Sequence, residues 1–95
     1  MGIKKIGVCG SGTMGNGIAH VFAAAGFHVV MRDVDQGFVD RGIKTIAKNL
    51  QRGVDKGRMT EDEKQAVLDR IYGTTETADL KDCDFVVEAI TENFD

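Results

Sequence analysis

The chain has 95 residues and a formal net charge of −3, from 12 Lys and Arg against 15 Asp and Glu. This length allows at most one domain, and the 42% apolar and 28% charged residues exclude a disordered chain, while no apolar run reaches the roughly 20 residues of a membrane helix. The acidic balance argues against nucleic acid or an anionic membrane as partner, and two cysteines form neither a disulfide framework nor a zinc set, so we expect a reducing, cytoplasmic compartment.

The N-terminal third of the chain has the pattern of a strand, a helix and a strand. An apolar run over 3–9 predicts a short buried strand. Apolar residues at helical spacing over 13–25, with Gly26 where a left-handed cap is expected, predict a helix with one buried stripe. The stripe consists of Met14, Ile18, Val21, Phe22 and Ala25. A second apolar run over 27–31 predicts a strand, and the short joints between these elements predict a right-handed βαβ unit.

The rest of the chain predicts two further helices and two further strands. Apolar residues at steps of three and four over 36–57 predict a second helix, weakened by three glycines. A capping-box pattern at 60–63 predicts a third helix over 61–70. The β-branched and aromatic residues of 71–75 favour a strand over a last helical turn, and 84–90 has the clearest remaining strand pattern.

A glycine-rich loop joins the first predicted strand to the first predicted helix. Gly10-Ser11-Gly12-Thr13-Met14-Gly15 fits G-x-G-x-x-G, which is weak evidence alone but typical of dinucleotide binding when it follows a strand and opens a helix. Gly10 permits a tight turn, Gly12 lets the main chain approach a pyrophosphate, and Gly15 lets the helix pack closely on the strand. The helix N-terminus would supply unpaired N–H donors to the phosphates. The alternative is a glycine-rich turn without a ligand.

Asp33 closes the second predicted strand, eighteen residues after the last glycine of the loop. A carboxylate at this place accepts hydrogen bonds from the adenosine ribose and repels a 2′-phosphate, which favours NAD over NADP. Arg32 beside it would tolerate the phosphate, so NADP stays the alternative cofactor. Asp33 would otherwise be an exposed acid at a strand end.

Together these patterns predict an α/β protein with a Rossmann-type, doubly wound parallel sheet in the strand order 3-2-1-4. The chain would hold part of that sheet, namely the first βαβ half plus strand four. Ligands of such sheets bind beyond the carboxyl ends of the strands, where the strand order reverses. Glu92, just after the fourth strand, therefore faces the cofactor if strands one and four flank the crevice, and is otherwise a solvated loop acid.

A row of basic residues follows the second predicted helix. Its members, which recur every four residues, are Lys44, Lys48, Arg52 and Lys56. Such a row is most often a solvated helix face, and the functional alternative is a dock for a phosphate-bearing ligand. Neither histidine and neither cysteine has a partner at a spacing that suggests catalysis, and no metal site is predicted.

Two sequence blocks are specific to one family. They are G-S-G-T-M-G-N-G-I-A over 10–19 and V-V-E-A-I-T-E-N over 86–93. Both resemble the N-terminal region of the 3-hydroxyacyl-CoA dehydrogenases, most closely the bacterial 3-hydroxybutyryl-CoA dehydrogenases, and the resemblance covers all 95 residues. It implies an oxidoreductase that exchanges a hydride between NAD and a short 3-hydroxyacyl-CoA or acetoacetyl-CoA.

The resemblance assigns functional positions to residues of this chain. It implies that the pyrophosphate loop is 10–15 and that the ribose acid is Asp33. Further NAD contacts are implied at the end of the fourth strand and just after it, namely Ala89, Ile90 and Glu92. It also implies that Arg52 and Lys56 contact the phosphates of CoA. Ser11 departs from the alanine usual in the family, but a serine fits the turn and adds a hydroxyl donor.

The resemblance also implies what lies beyond this stretch of the family. Its members continue into strands that carry a catalytic His and Glu, and then into a helical dimerising domain. We therefore expect residues 1–95 to be the N-terminal part of an NAD-binding domain, without the catalytic segment or the C-terminal helical domain, and to be inactive alone. The expected partners are an acyl-CoA substrate and, for the full-length family, further copies in a homo-oligomer. The alternative is a self-standing NAD-binding module without catalysis.

Overall fold

The computed structural model describes residues 4–89, which form a parallel sheet with helices packed on it. The strands are β1 (Lys5–Cys9), β2 (His28–Arg32), β3 (Ile71–Thr74) and β4 (Phe85–Glu88). Their order is β3-β2-β1-β4, and every neighbouring pair is parallel. The predicted α/β class and strand order are confirmed. The order of the strands reverses between β1 and β4, where open sheets of this kind bind ligands.

Three helices and one short 3₁₀ helix connect the strands. They are α1 (Thr13–Ala24), α2 (Gln36–Asp55), α3 (Glu61–Asp69) and the 3₁₀ helix Thr77–Leu80. The 3₁₀ helix was not predicted, and α2 ends two residues earlier than its predicted range. Within residues 4–89, no helix combines the length and the apolar character that crossing a membrane requires.

The hydrophobic core lies between one face of the sheet and the helices. Its largest fully buried side chains are Val8, Val29, Met31, Val39 and Ile46. Alternate residues of β1 and β2 point into this core, as period-two strands require. The sheet is thereby fixed against α1 and α2, whose N-terminal ends both lie at the carboxyl ends of the strands.

Helix α1 buries small residues in place of the large apolar stripe that its spacing predicts. The buried positions are Gly15, Ala19 and Ala23. Met14 and Val21 are 58% and 67% exposed, and Ala25 is also exposed, so the prediction for these three residues is wrong. A face of glycine and alanine lets the helix axis come close to the strands, because no large side chain separates the two backbones.

The opposite face of the sheet is covered mainly by the 3₁₀ helix and the segment after it. A Cβ at Gly7 would lie 2.9 Å from Leu80 and 3.1 Å from Cys83, so this segment packs directly on the backbone of β1. Tyr72 and Val86, which share this face, are 59% and 41% exposed. Part of the apolar surface of the sheet is therefore open to solvent in the described part of the chain.

Candidate functional site

Two glycines give the loop after β1 its shape. Gly10 has φ +110°, in the left-handed region that favours glycine, and its N–H donates to the carbonyl of Arg32 at 2.7 Å. A Cβ on Gly15 would overlap the carbonyl oxygen of Gly10. The close approach predicted at Gly15 is therefore present, but it is made to the turn and not to the strand.

Gly12 has no such internal reason to be glycine. Its φ of −68° and ψ of −165° are open to any residue, and nothing in the protein lies within 4 Å of the position a Cβ would take. The space above Gly12 opens into the cleft described below. The main chain at this position is thus accessible to a ligand at close range.

Helix α1 begins without a side-chain cap. Its N-cap residue is Gly12, and its first turn carries no acidic residue. By contrast, Asp35 caps α2, and Thr60 and Glu63 form a capping box at the start of α3. The first N–H groups of α1 therefore keep their donor capacity and the partial positive charge of the helix dipole, an arrangement that binds phosphate.

Asp33 lies beside this helix start, at the carboxyl end of β2. Its Oδ2 accepts hydrogen bonds from the backbone N and the Oγ of Ser11, both at 2.8 Å, and its Oδ1 accepts one from the backbone N of Val34 at 2.7 Å. Burial acts to raise the pKa of Asp33, but the hydrogen bonds from Ser11 and Val34 and the charge of Arg32 outweigh it and lower that pKa. Asp33 is therefore a carboxylate near neutral pH.

A cleft of about 530 Å³ lies above the loop, at the carboxyl ends of the strands. Six of the predicted site residues line it, namely Gly10, Ser11, Gly12, Thr13, Asp33 and Ala89. The predicted site residues Met14 and Gly15 do not line the cleft; Met14 is exposed, and Gly15 is buried against Gly10. Ile90 and Glu92 lie outside the described residues. The cleft has the location that the strand order predicts for a ligand.

One wall of the cleft was not predicted from the sequence. It comes from the start of α2, where Val34 and Phe38 are 71% and 45% exposed and the guanidinium of Arg41 lies 5.0 Å from the centroid of the Phe38 ring. An apolar platform with a stacked cation is suited to a planar ring such as adenine. The sequence feature that could have indicated this wall is Phe38, because it is a large apolar residue that lies next to the buried stripe of α2 and not within it.

Gly42 brings this wall close to the glycine loop. A Cβ there would lie 2.8 Å from the carbonyl oxygen of Ser11 and 3.1 Å from Met31. Gly42 is one of the three glycines that were expected to weaken this helix. In the structure it lets α2 approach the loop and close one side of the cleft.

Arg32 ends β2, directly before Asp33. Its Nε donates to the carbonyl of Thr75 at 3.1 Å, and it does not contribute to the lining. Among the described residues, Arg41 is the cation that lines the cleft. The expectation that Arg32 could receive a 2′-phosphate is not favoured by this geometry.

The basic row on α2 is separate from the cleft. Lys44, Lys48, Arg52 and Lys56 are all exposed. Arg52 lies in the last turn of α2 and Lys56 is its C-cap, about 10 to 17 Å along the helix from Thr45, the last cleft residue on this helix. Arg52 also offsets the negative end of the helix dipole, a role that requires no ligand and is compatible with the alternative of a solvated helix face.

Burial disfavours the charged forms of three further titratable side chains, His20, Cys9 and Cys83. Burial lowers the pKa of His20 and raises the pKa of both free thiols, Cys9 and Cys83. Between residues 4 and 89, no group of three or more His, Cys, Asp or Glu side chains is placed to hold a metal ion.

Known proteins match this chain over nearly its whole length. Residues 5–95 match the family described as 3-hydroxyacyl-CoA dehydrogenase, NAD binding domain. The 3-hydroxybutyryl-CoA dehydrogenases of Bradyrhizobium diazoefficiens and Clostridioides difficile are 50% and 39% identical to it over 90 and 89 residues, which make up 95% and 94% of this chain but 31% and 32% of those proteins. The chain thus spans about a third of the length of the curated relatives it matches.

A solved structure gives the same result. The crystal structure of (S)-3-hydroxybutyryl-CoA dehydrogenase from Ralstonia eutropha superposes with a TM-score of 0.94 at 45% identity, covering 98% of this chain and 33% of that one. The predicted resemblance and the predicted cofactor, NAD, are confirmed by these matches. The chain belongs to the NAD-binding-domain family of the 3-hydroxyacyl-CoA dehydrogenases, which are oxidoreductases.

Proposed function

We propose that this chain holds the ADP-ribose part of NAD within a dehydrogenase that interconverts 3-hydroxybutyryl-CoA and acetoacetyl-CoA. The observation that carries the proposal is the uncapped start of α1 beside the carboxylate of Asp33. Free N–H donors suit a diphosphate and a carboxylate suits a ribose hydroxyl. The substrate class is supported by the names of the relatives, which are 3-hydroxybutyryl-CoA dehydrogenases.

Each part of the cofactor has a proposed partner in the cleft. The N–H groups at the start of α1, above Gly12, would hold the pyrophosphate, and Asp33 would accept a ribose hydroxyl. The adenine would lie against Phe38 and Arg41. Ala89, directly after β4, also lines the cleft, and the family resemblance implies further NAD contacts at Ile90 and Glu92.

Bound NAD supplies a nicotinamide that accepts or donates a hydride. The residues of this chain bind and orient the cofactor, and none of those proposed here moves a proton. The general base belongs, by family, to a later segment. We therefore propose that residues 1–95 form the N-terminal part of the NAD-binding domain and do not turn over substrate alone.

The role of Asp33 is tested by the variant Asp33→Ala. Calorimetric titration with NAD should show affinity reduced by about 1–3 kcal/mol, or roughly 5- to 150-fold, because a hydrogen bond to a charged group is lost. Asp40→Ala, which removes an exposed acid of α2 away from the cleft, is the matched control and should leave the affinity unchanged. Equal affinity of Asp33→Ala and the wild type would show that Asp33 is not the ribose ligand.

The absence of turnover is tested by mixing the chain with NADH and acetoacetyl-CoA and following absorbance. We expect no oxidation that depends on acetoacetyl-CoA, because no residue of the cleft is assigned to proton transfer. Turnover by the chain alone would contradict this part of the proposal without affecting the cofactor site.

We also propose that Arg52 and Lys56 dock the phosphates of CoA. Both are exposed on one helix and belong to a row of like charge. Replacing each by Ala should weaken CoA binding roughly two- to fivefold at low salt, since exposed charges contribute modestly and are screened. Lys81→Ala removes an exposed lysine from the loop before β4 and should have no effect. If the double variant Arg52→Ala/Lys56→Ala bound CoA with wild-type affinity, the docking proposal would be wrong and the basic row would be a solvated helix face.

A further inference from the structure

The hydroxyl of Ser11 is buried against Asp33. Ser11 is 4% exposed and is the single serine of the chain. Its Oγ and its backbone N both donate to Oδ2 of Asp33 at 2.8 Å. A buried hydroxyl committed to a charged acceptor is held in one orientation.

These bonds also hold the carboxylate in one orientation. An ionised carboxylate offers about four acceptor positions, and Ser11 occupies two of them while the backbone N of Val34 occupies a third, at Oδ1. Turning the carboxylate would break hydrogen bonds at both oxygens and leave the hydroxyl of Ser11 buried without a partner. One acceptor position of Asp33 remains for a ligand.

A fixed carboxylate has its largest effect when the ligand carries a 2′-phosphate. In NADP a phosphate replaces one ribose hydroxyl. The negative charge of Asp33 repels this phosphate, whereas the hydroxyl would donate a hydrogen bond to the carboxylate. The Nε of Arg32 is bonded to the carbonyl of Thr75, and the guanidinium of Arg41 lies over Phe38. The charge of Asp33 therefore opposes a 2′-phosphate for as long as the carboxylate keeps this orientation.

We propose that Ser11 is a specificity-determining positioning residue, whose hydroxyl holds the Asp33 carboxylate where it accepts a ribose hydroxyl and repels a 2′-phosphate. This inference rests on the cleft being the NAD site, as proposed above. Ser11→Ala removes the hydroxyl and keeps the backbone N–H bond to Asp33, so it isolates the effect of the side chain.

The hydroxyl also affects the pH range over which Asp33 is charged. Charged and titratable groups around Asp33 are Arg32 on its own strand, Cys9 at the end of β1 and Arg41 across the cleft on α2. Burial acts to raise the pKa of Asp33, and the Ser11 hydroxyl is the foremost of the interactions that lower it. Loss of this hydroxyl should raise that pKa. NAD binding should then begin to weaken at a higher pH as the solution is acidified, because the protonated carboxyl is a poorer acceptor.

The experiment is calorimetric titration of wild-type and Ser11→Ala chains with NAD and with NADP, repeated from neutral to acid pH. The wild type should prefer NAD, and Ser11→Ala should lose roughly tenfold of that preference, the scale of a hydrogen bond to a charged group. The pH at which NAD binding weakens on acidification, here called the acid limb, should be higher in Ser11→Ala than in the wild type. Thr60→Ala, which removes a hydroxyl from the capping box of α3 away from the cleft, should change neither quantity.

Each outcome bears on a different statement. If the wild type binds NAD but Ser11→Ala keeps the same preference and the same acid limb, this inference is overturned and the cofactor site stands. If the wild type binds neither nucleotide, the inference falls together with the proposed function. Should Ser11→Ala not fold, the ¹³C signal of the Asp33 carboxyl in the wild type supplies a second test, since a pKa at or above the ordinary value would overturn the inference.

Discussion

Gly12 and Gly15 occupy equivalent-looking positions of the glycine motif but exclude side chains for different reasons. At Gly15 the obstacle is the protein, because a Cβ would overlap the carbonyl oxygen of Gly10. At Gly12 the backbone is unstrained and the space is empty. Gly15 is therefore required by the fold, whereas for Gly12 we propose that the reason is a ligand that approaches the main chain.

This difference predicts opposite behaviour for the two alanine variants. Gly12→Ala should keep its free energy of unfolding within about 1 kcal/mol of the wild type, because the entropy lost from the unfolded chain is offset by a poorer N-cap, yet it should weaken NAD binding. Gly15→Ala should unfold the loop region or the whole chain. Denaturant unfolding and NAD titration of both variants check this, and NAD affinity unchanged in Gly12→Ala would show that no ligand comes close there.

The sequence was informative for residues whose role follows from local spacing. The loop and Asp33 could be predicted because a strand, a turn and a helix start fix them together. Phe38 and Arg41 could not, because they reach the cleft only through the close approach of α2 at Gly42, a contact with Ser11 far away in the sequence. Arg32 was assigned to the phosphate by adjacency, whereas its side chain is bonded to Thr75.

At the scale of elements, all three predicted helices and all four predicted strands are present, including the weakly signalled strand over 71–75, whereas the buried face of α1 and the 3₁₀ helix were not predicted. The capping box at Thr60 fixed the start of α3 and is present. The buried face of α1 was misjudged because hydrophobic periodicity weights large side chains, while close helix-to-sheet packing selects glycine and alanine. The 3₁₀ helix Thr77–Leu80 is too short to show any period.

The capping box yields a stability prediction. Thr60→Ala removes the hydroxyl that accepts from the backbone N of Glu63 at 3.1 Å, so the free energy of unfolding should fall by about 1 kcal/mol. Thr45→Ala is the matched control, because its hydroxyl only donates back to the carbonyl of Arg41 within α2 and alanine is the better helix former. Urea unfolding of both variants measures the difference. A loss in Thr45→Ala as large as in Thr60→Ala would contradict the assigned role of the cap.

At the scale of the whole molecule, apolar surface is exposed at both edges of the sheet. β4 pairs with β1 on one side, and within residues 4–89 no strand pairs with its other side. Phe85 on β4 is 55% exposed and Tyr72 on β3, the opposite edge, is 59% exposed. An unpaired apolar edge is a template for pairing with another chain.

We therefore predict that the chain self-associates through β4. Sedimentation velocity should show species larger than the monomer that grow with concentration. Phe85→Lys should reduce them, because a lysine on an edge strand opposes pairing, whereas Tyr72→Lys on the other edge should not. A wild-type chain that stays monomeric over the same concentrations would contradict this prediction.

The proposed function requires that this chain bind the ADP-ribose half of NAD. The most direct test is a calorimetric titration of the wild-type chain with NAD and with ADP-ribose. We expect saturable binding of both with dissociation constants equal within about threefold, or roughly 0.7 kcal/mol, because every proposed contact falls on the adenosine and pyrophosphate. Binding of NAD without binding of ADP-ribose, or binding of neither, would contradict the proposed ADP-ribose site.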